Sequence, residues 1–280
     1  MATTQTLVSL MTQTSLHAGV GQDIVSVIDL PIQREAHTDW PCVYGSAVKG
    51  ALRAKFETEA KDNIVNQLFG QETDSRLQAG CLAITDARLL LLPVRSLTSH
   101  FKWITCPEVL RRWRCDCSRL GVTLALPDSQ LEVSGMNALC HSPQNLYLEE
   151  YRFTVEQTDL SDWCNALARM VGDDRHQDLH EQLVIVSNNM FTYLAKHATP
   201  VVAHNKLNDA KTTDSLWYEE SLPPDTLLYT MVNAFTSRDD EQKPASENLS
   251  AFTETLQTNP WLQMGGNETV GMGFCHVICL

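Results

Sequence analysis

Four short stretches of this chain hold residue types that could do chemistry on an anionic ligand. Asp29 lies between an apolar, β-branched run, Ile24 to Leu30, and Pro31. A carboxylate at a strand end can hold Mg²⁺ or take a proton from a ribose hydroxyl. The commoner fate of a single Asp there is to bond its own turn. His17 opens the glycine-containing loop His17-Ala18-Gly19-Val20-Gly21-Gln22-Asp23. An imidazole titrates near neutral pH and could act as acid or base, although a lone loop histidine usually does neither. Gly45-Ser46-Ala47-Val48-Lys49-Gly50-Ala51-Leu52-Arg53 invites comparison with a phosphate-binding P-loop. That loop ends Gly-Lys-Ser/Thr, and Ala51 follows Gly50 here, so the NTPase reading fails. What remains is a helix start with Ser46 as N-cap and with Lys49 and Arg53 on one face. Its free amides could seat a phosphate, but on spacing alone a capped helix with two surface cations is the better reading. The last stretch, Gly265-Gly266-Asn267-Glu268-Thr269-Val270-Gly271-Met272-Gly273, could form a nest of amides. A strand and not a helix follows it, so it is no dinucleotide fingerprint.

Charge is unevenly placed. The chain has a formal net charge of −13, yet the segment from Asp86 to Arg119 is net +4 through Arg88, Arg95, Lys102, Arg111, Arg112, Arg114 and Arg119. Such a segment is either a solvated helix face or a stripe that tracks phosphates. Phe101 and Trp103 flank Lys102 and could stack on bases, although core packing is the commoner role. Cys115-Asp116-Cys117 has no second pair at zinc spacing. Neither a Gly-x-Ser-x-Gly nor a His-Glu-x-x-His pattern occurs.

These residues need a scaffold. At 280 residues and 43% hydrophobic, the composition is that of a globular chain. An acidic balance argues against a free nucleic-acid binder but leaves room for a local basic groove. No apolar run reaches 18 residues, no signal-peptide pattern opens the chain, and nine scattered cysteines read as reduced thiols of a cytoplasmic protein. Strands are expected at Thr6–Leu10, Cys81–Leu92 and Leu227–Phe235, the second as one central strand. Helices are expected over Ala47–Lys61, Cys106–Leu120, Ser161–Val171, His180–Lys196 (interrupted near Ser187-Asn188-Asn189) and Asn248–Gln257. Pro107 and Gly121 bracket the second of these. Asn208 to Asp214, between Val201-Val202 and Leu216-Trp217-Tyr218, suits the tip of a long hairpin. The tail reads strand, loop, strand. The pattern is α+β in one domain.

Taken together, several segments resemble one family. Val27-Ile28-Asp29-Leu30-Pro31-Ile32-Gln33-Arg34 and Gly45 to Arg53 look like the RAMP proteins of CRISPR systems. Thr85 to Leu90, Pro93 to Ser96, Leu216 to Glu220 and Gly266 to Gly271 narrow the resemblance to the backbone RAMP subunits of type III-B (Cmr) effector complexes. The resemblance runs from about His17 to the C-terminus. It implies a modified ferredoxin-like (RRM-like) core, an inserted helical region at roughly 105–198 and a β-hairpin thumb at roughly 199–220. It also implies copies of the chain in a helical filament with other Cmr complex subunits, along one CRISPR RNA that pairs with a target RNA, and no membrane. The thumb would flip out a nucleotide at regular spacing.

By the same resemblance Asp29 is needed to cut target RNA, with His17 near the same site. Ser46, Lys49 and Arg53 would meet the guide backbone, and Gly265, Gly266 and Gly271 form the glycine-rich loop at the RNA. Glu219 or Glu220 would lie close to the cut. An unstacked nucleotide lets its 2′-OH reach in-line geometry. An ordinary aspartate titrates near pH 4 and is a weak base at neutrality, which favours a divalent metal, Mg²⁺ or Mn²⁺, held by Asp29. Two alternatives stand beside this endoribonuclease: a non-catalytic guide scaffold, and a metal-independent guide-processing nuclease that uses His17.

Overall fold

The computed structural model describes residues 3–22, 27–59, 62–73, 76–122, 124–127, 130–142, 145–238 and 242–280. The first half of the chain forms β1 (Thr3–Thr12), β2 (Cys42–Val43), α1 (Gly45–Glu59), α2 (Asp62–Phe69), β3 (Gly70–Thr73), β4 (Arg76–Ala79), β5 (Leu82–Ile84), β6 (Ala87–Arg95), β7 (Phe101–Thr105) and α3 (Pro107–Leu120). Then come β8 (Asn137–Cys140), β9 (Leu146–Leu148), β10 (Tyr151–Gln157), α4 (Ser161–Val171), α5 (His176–Gln182), β11 (Leu183–Val186) and α6 (Asn188–His197). The chain closes with β12 (Val201–Leu207), β13 (Thr213–Glu220), β14 (Leu227–Phe235), α7 (Ala245–Thr258), β15 (Trp261–Gln263) and β16 (Phe274–Cys279).

β1 is central because it is apolar without alternation: Thr6 to Thr12 are all buried, as a strand covered on both faces must be. It pairs antiparallel with β14 on one side and β16 on the other. β6 pairs antiparallel with β14, so the core order is β16-β1-β14-β6. Two strand–helix–strand units, β1-α1-β6 and β14-α7-β16, are thereby interleaved. Their helices meet through Phe56 and Phe252, which stack at 5.6 Å. Such a pair adds about 1 kcal/mol to the burial of the two rings.

The opposite face of these strands is closed by the stretch between β7 and β12. Ser9, Tyr229 and Arg88 stand side by side in register. Ser9 donates to the Met170 carbonyl of α4 at 2.7 Å, and the Asp116 carboxylate of α3 accepts from Tyr229 (2.9 Å) and Arg88 (2.7 Å). A sheet face sealed in this way cannot present stacking platforms to a nucleic acid.

Sequence and structure part company at several points. The stretch expected to be a helical insertion, roughly 105–198, is mainly helical but also carries four short strands. β8 to β11 carry the central sheet onward from β7, in the order β7-β11-β8-β10-β9. The helix expected over His180–Lys196 is broken by β11, where Leu183, Val184, Ile185 and Val186 are all buried and the first three pair parallel with β7. Helical periodicity flanks this short apolar run, and only its non-local partner makes it a strand. The strand expected at Cys81–Leu92 is two, β5 and β6, with Thr85 and Asp86 turned out between them. That interruption has a use, because Asp86 Oδ1 accepts the Gly45 amide at 2.7 Å. The carboxylate, and not Ser46, caps α1; Ser46 sits exposed as its second residue. A Cβ at Gly45 would fall 2.6 Å from the Ile84 carbonyl oxygen, so the close approach of the two segments demands glycine.

Other expectations hold. Pro107 opens α3, and Gly121 closes it in the left-handed region at φ 65°. The hairpin β12–β13 stands apart from the central sheet, its tip tied by Asn208 Oδ1, which accepts the amides of Ala210 and Thr212. No described helix is long and apolar enough to cross a membrane.

Candidate active site at the base of the hairpin

The segment around Asp29 is laid along β13 as an extra, short strand. Residues 23–26, most of the apolar run preceding it, lie outside the described part. Leu30 donates its amide to the Tyr218 carbonyl and accepts from the Glu220 amide, both at 3.0 Å. This pairing places Asp29 beside the hairpin base. Its Oδ2 accepts the Tyr218 amide at 2.8 Å. Half of the carboxylate is therefore anchored, and the side chain remains half-exposed. Among the described residues no pair of His, Cys, Asp or Glu converges with Asp29 as a three-ligand cluster.

His17 comes to the same place from the other side. It is 9% exposed, and its Nδ1 lies 2.7 Å from the Glu220 carbonyl oxygen. A carbonyl only accepts, so Nδ1 carries the proton and Nε2 is the site that can gain or lose one. Nε2 rests against Gly19, where a Cβ would come within 2.6 Å. The Glu219 carboxylate stands 4.0 Å from Nδ1 and accepts from Asn267 Nδ2 at 2.6 Å. Gly266 donates to the His17 carbonyl at 2.9 Å, and Gly265, at φ 77°, would drive any Cβ into that same oxygen. So His17, Gly265 and Gly266 form one packed unit, with Glu219 joined to it through Asn267. The rest of the glycine-rich loop is less of a nest than its sequence suggests. The amides of Val270, Gly271, Met272 and Gly273 are taken by protein carbonyls, and Gly271 stands exposed at φ 85° as the C-cap of a short 3₁₀ turn.

One carboxylate secures this arrangement. Glu220 is 2% exposed and accepts from Arg34 (2.5 Å), Thr199 (2.6 Å) and the Ile32 amide (3.1 Å). Arg34 also donates to the carbonyls of Asp39 and Ala195. Sequence reasoning assigned Arg34 and Asn267 no role. Both stood in the quoted motifs, but only the fold shows what they touch.

Gln33 joins this site to α1. Its amide group donates to the Gly19 carbonyl at 3.0 Å and accepts the Tyr44 amide at 2.5 Å. Along α1, Lys49 and Arg53 line an open cleft of about 380 Å³ with Arg238, Gly70 and Gly80. Arg53 is partly engaged by Glu57 and by the Gly70 carbonyl, whereas Lys49 makes no ion pair among the described residues. The cleft is cationic and solvent-open, as a seat for a phosphate backbone must be.

The basic segment does not join it. Arg88 and Arg119 pair with Asp116, Arg95 with Glu149, Arg111 with Glu108 and Arg112 with Glu35. Lys102 and Arg114 donate to the carbonyls of Glu181 and Pro127. Burial lowers the Lys102 pKa. Trp103 is fully buried. Of the two readings of this segment, a solvated face or a stripe that tracks phosphates, the pairing favours the first: five of its arginines hold carboxylates of this chain, three of them at the surface.

The interleaved core, the detached hairpin and a carboxylate at the hairpin base define a class, and comparison with known proteins agrees. The RAMP superfamily model matches residues 9–276, and the chain belongs to that superfamily. Within it, Cmr4 subunits are among the end-to-end matches. The chain is 32% identical to the CRISPR system Cmr endoribonuclease Cmr4 of Pyrococcus furiosus, covering 97% of this chain and 94% of that one. It is 22% identical to the CRISPR system CMR subunit Cmr4 of Saccharolobus solfataricus, covering 94% and 92%. The crystal structure of oligomeric Cmr4 from Pyrococcus furiosus superposes with a TM-score of 0.77 at 27% identity, covering 98% of this chain and 97% of that one.

Proposed function

We propose that this chain is the CRISPR RNA-binding backbone subunit of a type III-B Cmr complex and its target-cutting endoribonuclease, with Asp29 at the centre of the cut. It would act in the cytoplasm, in a filament of its own copies with the other Cmr subunits. The interleaved core is read as ferredoxin-like (RRM-like), and β12–β13 as the thumb. With the sheet face sealed, RNA is left the groove from the Lys49 cleft to the hairpin base. One observation carries the reading: Asp29 is bonded through one oxygen to the β13 backbone, at the foot of an exposed hairpin.

The exposed half of that hairpin presents Val202, Leu216 and a His204–Trp217 stack at 5.6 Å. Such a surface can insert between bases and hold one out of its stack. The freed ribose 2′-OH can then swing in line with its own phosphate. The proton of that hydroxyl has two candidate acceptors, the Asp29 carboxylate and His17 Nε2. The fixed tautomer of His17 leaves Nε2 able to receive a proton and return it to the departing 5′-oxygen. A lone anchored carboxylate suits a Mg²⁺ or Mn²⁺ that keeps several waters and takes substrate phosphate oxygens. Such an ion would supply charge stabilisation at the phosphoryl group.

The test is cleavage of complementary RNA by the assembled complex. Asp29→Ala should lower the rate at least 100-fold at every cut position while guide and target binding stay within threefold. Wild-type cleavage by that variant would leave only a guide scaffold. EDTA separates the metal role from the base role: full activity in chelator points to His17 and Asp29 acting without an ion.

A further inference from the structure

We infer that His141, Cys164 and His180 form a binding site for a zinc-type divalent ion, remote in the fold from the hairpin base. The three residues come from separate elements, the turn after β8, helix α4 and helix α5, yet their ligand atoms lie within 4.8 Å of one another. The two imidazoles stack at 4.6 Å with 30° between planes. Cys164 is fully buried. The Nε2 atom of His141 is buried too and has no hydrogen-bond partner. A buried polar atom left without a partner is destabilising, and such atoms call for an ion or water.

The donor set selects the ion. Two imidazoles and a thiolate suit zinc or cobalt, whereas Mg²⁺ and Ca²⁺ want oxygen. A zinc tetrahedron has ligands roughly 3.3–3.8 Å apart, given bonds of about 2.0–2.3 Å. Small turns of the two rings therefore close the site. On binding, the sulfur loses its proton to solvent as the metal–sulfur bond forms. His176 is not needed in the set, because its Nε2 is 2.7 Å from Asn165 Oδ1.

The ion would fasten the end of β8 to α4 and α5, and α4 is the helix that seals Ser9. Its role would be to stiffen the cover over the core sheet.

The test uses the full-length chain, stripped with chelator and refilled with Co²⁺. One equivalent should bind with a thiolate-to-metal charge-transfer band. Cys164→Ser should abolish the band, and His141→Gln, at a half-buried position, should weaken binding at least tenfold. Cys115→Ser should leave both unchanged. No band in the wild-type chain at saturating Co²⁺, a band that survives Cys164→Ser, or unaltered affinity in His141→Gln would each overturn the site. The readout is a Co²⁺ band that depends on Cys164 and not RNA cleavage, so failure here is separate from failure of the nuclease reading.

Discussion

Two carboxylates reach the same hairpin and are treated in opposite ways. Glu220 is sealed, and both its oxygens are engaged, Oε1 by Arg34 and Thr199 and Oε2 by the Ile32 amide. Asp29 is half-exposed and takes one amide, from Tyr218. Full satisfaction makes Glu220 a structural part, since a buried ion pair is costly to break and has no capacity left for a ligand. Partial satisfaction makes Asp29 a poor stabiliser with a free side to offer. The contrast separates what holds the hairpin from what could act at its foot.

The sharpest way to break this contrast is to exchange the two effects. Glu220→Ala should cost about 3–5 kcal/mol in urea unfolding, because it strands the Arg34 guanidinium without its buried partner. Asp29→Ala should cost less than about 1 kcal/mol, the worth of one hydrogen bond on a half-exposed group. If the two variants unfold at the same urea concentration, the division of roles is wrong.

Asp116 tests the same idea on the far face of the sheet. At 1% exposure it accepts from Arg88, Arg119 and Tyr229. Burial and the neighbouring carboxylate push the Tyr229 phenol up, so the hydroxyl stays neutral and donates. Asp116→Asn keeps the shape but removes the charge and should cost about 2–3 kcal/mol, read as a lowered Tm with unchanged cleavage per folded molecule.

These pairs also show what was legible in the chain. Where a signal is local, sequence reading finds it. Pro107 and Gly121 bracket α3, the run at Thr6–Leu10, rich in Val, Leu and Thr, marks a strand, and the polar turn at Asn208–Asp214 marks a hairpin tip. Where the partner is far along the chain, it does not. Asp86 capping α1, β11 pairing with β7 and Asp29 meeting Tyr218 join residues 41, about 80 and 189 positions apart. The charge-rich segment is ambiguous in sequence for the same reason. Its arginines read as a solvated face or a phosphate track until the fold brings Glu35, Glu149 and Asp116 to them. Motif-borne positions are gathered in part: His17 packs with Gly265 and Gly266, and His17 and Asp29 both bond to β13, whereas Gly271 stands apart.

Lys49 sharpens the comparison between cations. Unlike Arg111, Arg112 and Arg119 of α3 it has no acidic partner among the described residues, so its charge is available to phosphates. Lys49→Ala should weaken guide-RNA binding a few-fold, uniformly across sequences, and should reduce the slope of log affinity against log salt by about 1. Arg111→Ala, whose side chain is paired with Glu108, should leave that slope unchanged.

The smallest stability effect belongs at the outer hairpin. Trp217 stacks on His204 along a strand whose residues before Glu219 are exposed or half-exposed. No core element leans on that stack, so Trp217→Ala should shift unfolding by no more than about 0.5 kcal/mol. Against an RNA duplex the same ring is a large apolar wedge, and base–aromatic stacking is worth roughly 1–3 kcal/mol. The variant should therefore cut target RNA about tenfold more slowly, or lose the even spacing of its products, while remaining as stable as the parent. Loss of stability without loss of cutting would place Trp217 with Glu220 among the structural residues, and the hairpin would then act as a strut and not as a wedge.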